Sequence, residues 1–404
     1  MATTAVVAIT ALVDRGNSDR PTRPAPPLAA ATAATTAQWT ALGTVPGAQR
    51  DFTRAELLIV SGEPYVAVIE RRSGGRGPQR AEVWAWHNHT WHGPIGGRRF
   101  SVDPSSRFIL ADAGALCAAW QYAARPNLAC MSEHNMWHAL PKPASWTSLS
   151  RIVNLFAIGE QLYVQAATQS RTGLVRGVPA VFRRDGTAWS SVANRPAQAP
   201  RGGSQRFQPF EYGGDPCLAY DHVTSSTALP TVRLECARNG SWQPVAPAIT
   251  GATIDAPRAV VNIDGIEVAG GKLYAGVDRF EQSGAGWEVL RLADSRWVLT
   301  SLETDSPPWS AQGALCSVGR QLWALRFDQQ LGRAGPIARF EVDVLDTRSG
   351  AVTRQVGGPL LRARQLYGPV SYGLGAARSR IYALWTEPVR HTRANRLRLS
   401  VLSV

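Results

Sequence analysis

A short strand-like phrase recurs seven times along the chain, and a repeat of this period restricts the possible folds more than any single motif does. The copies read GEPYVAVIE (62–70), GALCAAWQ (114–121), GEQLYVQAA (159–167), GDPCLAYD (214–221), GGKLYAGVD (270–278), GRQLWALRFD (319–328) and RSRIYALWTE (378–387). With Tyr65, Cys117, Tyr163, Cys217, Tyr274, Trp323 and Tyr382 taken as equivalent, the intervals are 52, 46, 54, 57, 49 and 59 residues. Most copies are followed by a second phrase, as in HNHTWHGPI, EHNMWHALP, RDGTAWSSV, RNGSWQPVA and ADSRWVLTS. Each sets Asn, Asp or Gly ahead of a tryptophan, which suits a tight hairpin turn entering a half-buried strand. The sixth copy, LDTRSGAVTRQV, lacks the tryptophan. Every repeat therefore predicts four strands: one before the glycine phrase, the phrase itself, and two flanking the tryptophan turn.

The two ends of the sequence complete the pattern. After Tyr382 the chain runs NRLRLSVLSV, with no tryptophan strand for the seventh repeat. An orphan one, QWTALGTV (Gln38–Val45), precedes the first repeat. An N-terminal strand that completes the last blade closes a ring of sheets and removes their exposed edges. The expected fold is all-β, a seven-bladed β-propeller over residues 38–404.

The repeats resemble those of kelch-like and secreted bacterial propellers, which carry a glycine–tyrosine strand and then a turn with Asp or Asn, Gly and Trp. The resemblance covers nearly the whole chain and implies a fold, not an activity. The paired glycines that end a kelch strand are missing, with LYAGVD and IYALWT in their place. RRDGTAW (Arg183 to Trp189) departs from the sialidase Asp-box pattern because Asp185 and Gly186 are adjacent, so no sialidase residues carry over.

Residues 1–37 differ in composition from the rest. AVVAITALV (Ala5 to Val13) has the length of an export signal's apolar region, but no basic residue precedes it. The following Ala/Thr/Pro-rich segment cannot build a core, so the expectation is a disordered tail or a degraded export signal. No uninterrupted apolar run reaches membrane-spanning length.

The formal charge of +13 is carried almost wholly by arginine, since Lys142 and Lys272 are the only lysines. Such a surface suits anionic partners. Arg-Arg pairs at 71–72, 98–99 and 183–184 are scattered rather than gathered in a stripe, which argues against sequence-specific nucleic-acid binding.

WAWHNHTWH (Trp84 to His92) holds three histidines, and His134 and His138 sit in the matching turn of the next repeat. His87 and His89, two apart on a strand, would share a face within reach of one zinc ion. The repeat alone explains their position, and no metal or other cofactor is expected.

Cys117 and Cys217 occupy one repeat position, and Cys130 and Cys236 lie in the strand that follows each. Antiparallel neighbours bring such pairs into bonding range, which predicts disulfides Cys117–Cys130 and Cys217–Cys236 and an oxidising compartment, secreted or periplasmic. Cys316, in a first strand, is expected to be a buried thiol.

Nucleophile elbows, metalloprotease motifs and phosphate loops are missing from the sequence. The candidate ligand positions are polar residues ending the second strand of each repeat and their neighbours. They are Glu70, Trp120, Gln121, Tyr220, Asp221, His222, Asp278, Arg279, Arg326, Asp328, Trp385 and Glu387, with Gln169 less clear in the third repeat. Acid beside aromatic is a common means of holding sugar hydroxyls and faces. The same acids could instead pair with nearby arginines.

The leading expectation is a non-catalytic, exported, monomeric propeller that binds a glycan or a protein, possibly anionic, through loops at the channel mouth. The alternatives are a glycoside hydrolase or lyase using two of Glu70, Asp221, Asp278, Asp328 and Glu387, and an intracellular kelch-like interaction scaffold.

Overall fold

Seven small antiparallel sheets stand in a ring. The structure, a computed structural model, describes residues 38–48, 52–70, 77–104, 106–147, 150–169, 175–193, 206–222, 228–281, 284–300, 302, 310–332, 335–357, 360–363, 370–389 and 395–404. The expected N-terminal tail at 1–37 lies outside the described residues.

The first strands of blades 1–7 are Phe52–Val60, Phe108–Asp112, Ser150–Ile158, Phe207–Tyr212, Val260–Ala269, Ser310–Val318 and Tyr372–Ala377. Each touches the first strand of the next blade, and the seventh touches the first, so these strands surround a central channel. The repeated phrases form the second strands: Glu63–Glu70, Leu116–Tyr122, Gln161–Gln169, Asp215–His222, Lys272–Glu281, Gln321–Gly332 and Arg380–Pro388. The ring closes as the sequence predicts: Thr40–Thr44 pairs antiparallel with the last strand, Asn395–Ser403, and completes blade 7. Trp39 Nε1 donates to the Val356 carbonyl of blade 6 at 2.7 Å, tying the closing strand to the neighbouring sheet.

Strand alternation explains why the repeated aromatic or cysteine position recurs. Successive side chains of a strand face opposite sides of its sheet. In a propeller one side packs on the preceding blade and the other on the next. Cys217 and Ala219 therefore join the core between blades 4 and 5, whereas Leu218 and Tyr220 join the core between blades 3 and 4. The same parity sends Tyr163, Tyr274, Trp323 and Tyr382 each into the core shared with the following blade. Seven apolar clusters fill the seven interfaces, one apiece. Large residues suit these wedge-shaped gaps, and each fully buried one contributes roughly 1.5–3 kcal/mol.

The tight turns gather on the face opposite the second-strand ends. Asn88, His89, Asn135, Asn239, Asp294 and Ser295 take left-handed backbone there, as does Gly186. His89 thus leaves the strand at φ 62°, so it does not share a strand face with His87, and both belong to the turn that the repeat places there. His87 Nδ1 contacts Glu63 instead, and His92 Nε2 lies 2.8 Å from Thr90 Oγ1. Among the described residues no group of His, Cys, Asp and Glu is placed to hold a metal ion, and no helix is long and apolar enough to cross a membrane.

Cys117 stands directly opposite Cys130, and Cys217 opposite Cys236; both pairs are disulfides. Cys316 is a buried free thiol, and burial raises its pKa well above the usual range.

Candidate ligand site at the channel mouth

Where the second strands end and the first strands begin, the channel opens into a cavity of about 510 Å³. Its wall includes Arg54, Glu56, Arg107, Gln208, Asp264 and Tyr372. The volume falls within the roughly 300–1,000 Å³ range of small-molecule sites.

Arg54, Arg107 and Ser371 of the cavity wall share one repeated position. Arg54 pairs in register with Ile69, and Arg151 with Ala167. Arg107 directly precedes Phe108, the partner of Trp120, and Arg206 exchanges backbone contacts with Asp221. Four consecutive blades therefore present arginine at the same place in the first strand. Asn262, Gln312 and Ser371 hold that place in blades 5–7.

Arg54 and Arg107 are open to water. Enclosure by protein nevertheless lowers the Arg107 pKa, with repulsion from Arg54, Arg206 and Arg151 acting in the same direction and attraction to Glu56 opposing it. A side chain both wetted and enclosed is one that projects into a water-filled channel.

The opposite arc is acidic. Arg206 ion-pairs with Asp278, which is fully buried, and its Nη1 lies 3.5 Å from Asp264 Oδ1. Asp264 Oδ2 accepts the Gly313 N–H at 2.9 Å, a bond from blade 5 to blade 6. Burial raises the Asp264 pKa, and the Asp278 charge adds to the shift. Burial likewise raises Asp278, against the attraction of Arg206. Asp221 accepts backbone N–H groups of Ile263 at 2.8 Å and Arg206 at 3.2 Å, and burial pushes its pKa up to about 6. Tyr372, at the rim, is held protonated by burial and by Asp264 and Asp278.

Beneath the mouth, polar side chains fasten several first strands to their neighbours. Glu56 accepts the Leu110 N–H at 3.1 Å, and Asn154 donates to the Phe207 carbonyl at 3.0 Å. Gln208 donates to the Asp264 carbonyl at 3.0 Å, and Ser371 Oγ accepts the Ala55 N–H at 3.0 Å. A strand that borders a channel has no sheet partner on that side, so side chains do the fastening.

Of the residues singled out in the sequence, Asp221 and Asp278 come together around Arg206. Gln121 Nε2 donates to the Ser150 carbonyl at 3.2 Å, and Glu70 stands opposite Arg80 at the end of its strand. Trp120 is buried against Phe100 and Phe108, Tyr220 against Phe207, and Trp385 in the core between blades 6 and 7. His222 is buried, which lowers its pKa. Arg279 lies 3.5 Å from both Glu281 and Glu288. Arg326 meets Asp343, Glu341 and Asp328 at 2.8, 3.1 and 3.5 Å. Glu387 accepts from Arg396 and Arg398 at 2.8 and 2.7 Å. Gln169 ends its strand, and its side chain lies outside the described residues. Sequence reasoning missed Arg54, Arg107, Arg151, Arg206, Glu56, Asp264 and Tyr372. The available signal was the arginine seven or eight residues ahead of the repeat glycine in TRAELL, SRFILA, SRIVNL and QRFQPF.

A second hollow of about 560 Å³ opens on the turn face between blades 2 and 3, beside Cys130, His138, Glu160 and Arg184. It lacks the concentration of like charge found at the channel mouth.

No protein-family model matches the chain, and no curated protein matches its sequence. Solved structures do match in shape. A polysaccharide lyase, an ulvan lyase bound to -[GlcA(1-4)Rha3S]-, superposes with a TM-score of 0.55 at 11% identity, covering 89% of this chain and 96% of its own. The same lyase without sugar gives the same values. A phage phi92 endosialidase gives a TM-score of 0.47 at 10% identity over 92% of this chain and 68% of its own. At these identities the likeness is one of fold, the seven-bladed propeller.

Proposed function

We propose that the protein is an exported, non-catalytic propeller that binds a glycan at the channel mouth. The observation that carries this reading is the cavity itself. It is rigidly framed by first strands and offers cationic donors on one arc, with the carboxyl of Asp264 and the Tyr372 phenol on the other. Sugars need both donors and acceptors on a fixed frame, and a ring of sheets supplies that frame without closing motions. A propeller of the same fold binds a polysaccharide, which supports the class of ligand. Two disulfides support an oxidising compartment and weigh against the intracellular scaffold. A glycan array followed by titration of Asp264→Ala and Tyr372→Phe tests the reading. Loss of sugar binding in both variants, with circular dichroism showing that each is folded, is the expected result. Sugar binding that survives both substitutions would overturn it.

A second reading has a specific observation behind it. Asp264, whose pKa burial raises to about 7, and Asp278 beside it form a carboxyl pair of unequal environment, which is what an acid–base cleavage of a glycan would use. Of the acids named from sequence, Asp278 belongs to this pair and Asp221 adjoins it. Appearance of new reducing ends or of unsaturated uronate absorbance on incubation with oligosaccharides, lost in Asp264→Asn, would favour cleavage over binding.

A further inference from the structure

We infer that the glycan taken at the channel mouth is acidic, its carboxylate or sulfate group seated on Arg54 and Arg107, with Arg151 and Arg206 adding to the attracting field. The inference rests on the channel-mouth reading and names the chemistry of its ligand.

Three observations carry it. The arginines are not scattered: they hold one repeat position in four consecutive blades, and Arg54 and Arg107 line the cavity itself. Their charges are also unequally balanced. Arg206 is answered by Asp278 and Asp264, whereas among the described residues neither Arg54 nor Arg107 forms an ion pair. Finally, positive charge outnumbers negative on this arc: Arg54, Arg206 and Arg151 all repel Arg107 inside an enclosed space, with Glu56 the one carboxyl acting on it in the opposite direction. A fold keeps like charges together at a cost in stability, and an anion arriving between them relieves that cost.

The chemistry follows from guanidinium geometry. A planar fork of N–H donors matches the paired oxygens of a carboxylate or sulfate, and two such forks from adjacent blades fix its position. The rest of the ligand then lies toward Asp264 and Tyr372, where sugar hydroxyls find an acceptor and a donor. The same acidic arc disfavours a nucleic-acid strand, whose continuous phosphates would have to pass Asp264 and Asp278.

The test uses the full chain and titration calorimetry with four probes of matched length: an oligogalacturonate, a heparin-derived oligosaccharide, a neutral cello-oligosaccharide and a single-stranded oligonucleotide. At least one acidic sugar is expected to bind about tenfold or more tighter than the neutral one, and to weaken as salt rises. The uronate and sulfate probes show which group the arginines prefer. The double variant Arg54→Ala/Arg107→Ala should lose about tenfold or more in affinity for the acidic sugar. Arg54→Lys/Arg107→Lys, which keeps the charge but not the fork, should recover part of it. Arg183→Ala, on the opposite face, should change nothing. Circular dichroism and melting confirm that each variant is folded.

Equal affinity for neutral and acidic sugars, undiminished affinity in a folded double alanine variant, or an oligonucleotide binding as tightly as the acidic sugars each overturns the inference. If neutral sugars bind and Asp264→Ala abolishes that binding while the arginine variants do not, the inference falls and the channel-mouth reading stands. If no glycan of any kind binds, both fall.

Discussion

Arg206 reaches from the start of blade 4 to ion-pair with Asp278 on the second strand of blade 5, and its guanidinium also lies 3.5 Å from Asp264. One cation thus serves two buried carboxyls whose own repulsion would otherwise face into the channel. The pairing is possible because the ring brings the end of one second strand beside the start of the preceding blade's first strand.

Arg206→Ala leaves Asp264 and Asp278 without their cation. Removing one partner of a buried pair is strongly destabilising, and with Arg206 one-third exposed the expected loss is about 2–3 kcal/mol at neutral pH. Without the cation both carboxyls gain further in pKa and hold protons that the unfolded chain releases. The deficit relative to wild type should therefore grow as pH rises from 5 to 8, about the span over which unfolded carboxyls stay ionised. Denaturant melts at the two pH values measure it; a deficit constant with pH would show that charge is not the cause.

Glu267 gives a second pH signal. Burial pushes its pKa up to about 7, against the Ser317 hydroxyl that donates to it at 2.7 Å. In the unfolded chain glutamate ionises near pH ~4.3. Between those values the folded state holds a proton that the unfolded state lacks, so stability falls as pH rises and is greatest below the lower value. Glu56, also raised to about 7, and Asp221, raised to about 6, act with the same sign. Melting temperature should fall from acid to neutral pH, and Glu267→Gln should flatten part of that slope. An unchanged slope would remove Glu267 from the account.

Thiol titration separates the cysteines cleanly. In unreduced, denatured protein only Cys316 should react, and after reduction all five cysteines should. Cys217→Ser/Cys236→Ser is expected to lower stability by about 2–4 kcal/mol. More than one reactive thiol before reduction would count against the exported reading.

Trp287 packs between two glycines of adjacent blades. A Cβ built on Gly313 would sit 2.3 Å from the indole, and one on Gly276 3.0 Å. Gly313→Ala forces the ring or the blade 6 strand to move, and should cost about 1–3 kcal/mol. Gly276→Ala should cost less. Equal and negligible losses in both would mean that the interface between blades 5 and 6 is more yielding than its packing suggests.

The ring, its closure and both disulfides were legible because they depend on one repeated position of fixed parity. Whatever stands at Tyr163, Cys217 or Tyr382 must fill the gap toward the next blade, so the demand recurs and the residue type with it. The mouth of the channel was less legible. The second-strand acids look alike in sequence, yet Arg326 gathers three carboxylates of its own blade and Glu387 takes two arginines of its own blade. Asp278 and Asp221 instead find theirs near the hub. Nothing local in the sequence distinguishes these cases, because the deciding partner comes from another blade. Arg54, Arg107, Arg151 and Arg206 were readable in principle, but their distance from the repeat glycine is not constant, and in blade 3 a bulge after Ile152 adds a residue to it.

Because Thr40–Thr44 must wait for Asn395–Ser403, the earliest made of the described strands is the last to find its hydrogen-bonding partner. Until that segment has been made, the nascent chain carries an open arc with apolar flanks at both ends. The outer edge of blade 7 thus stays uncovered until the chain is nearly whole, and the ring locks only when these two segments, far apart in sequence, meet.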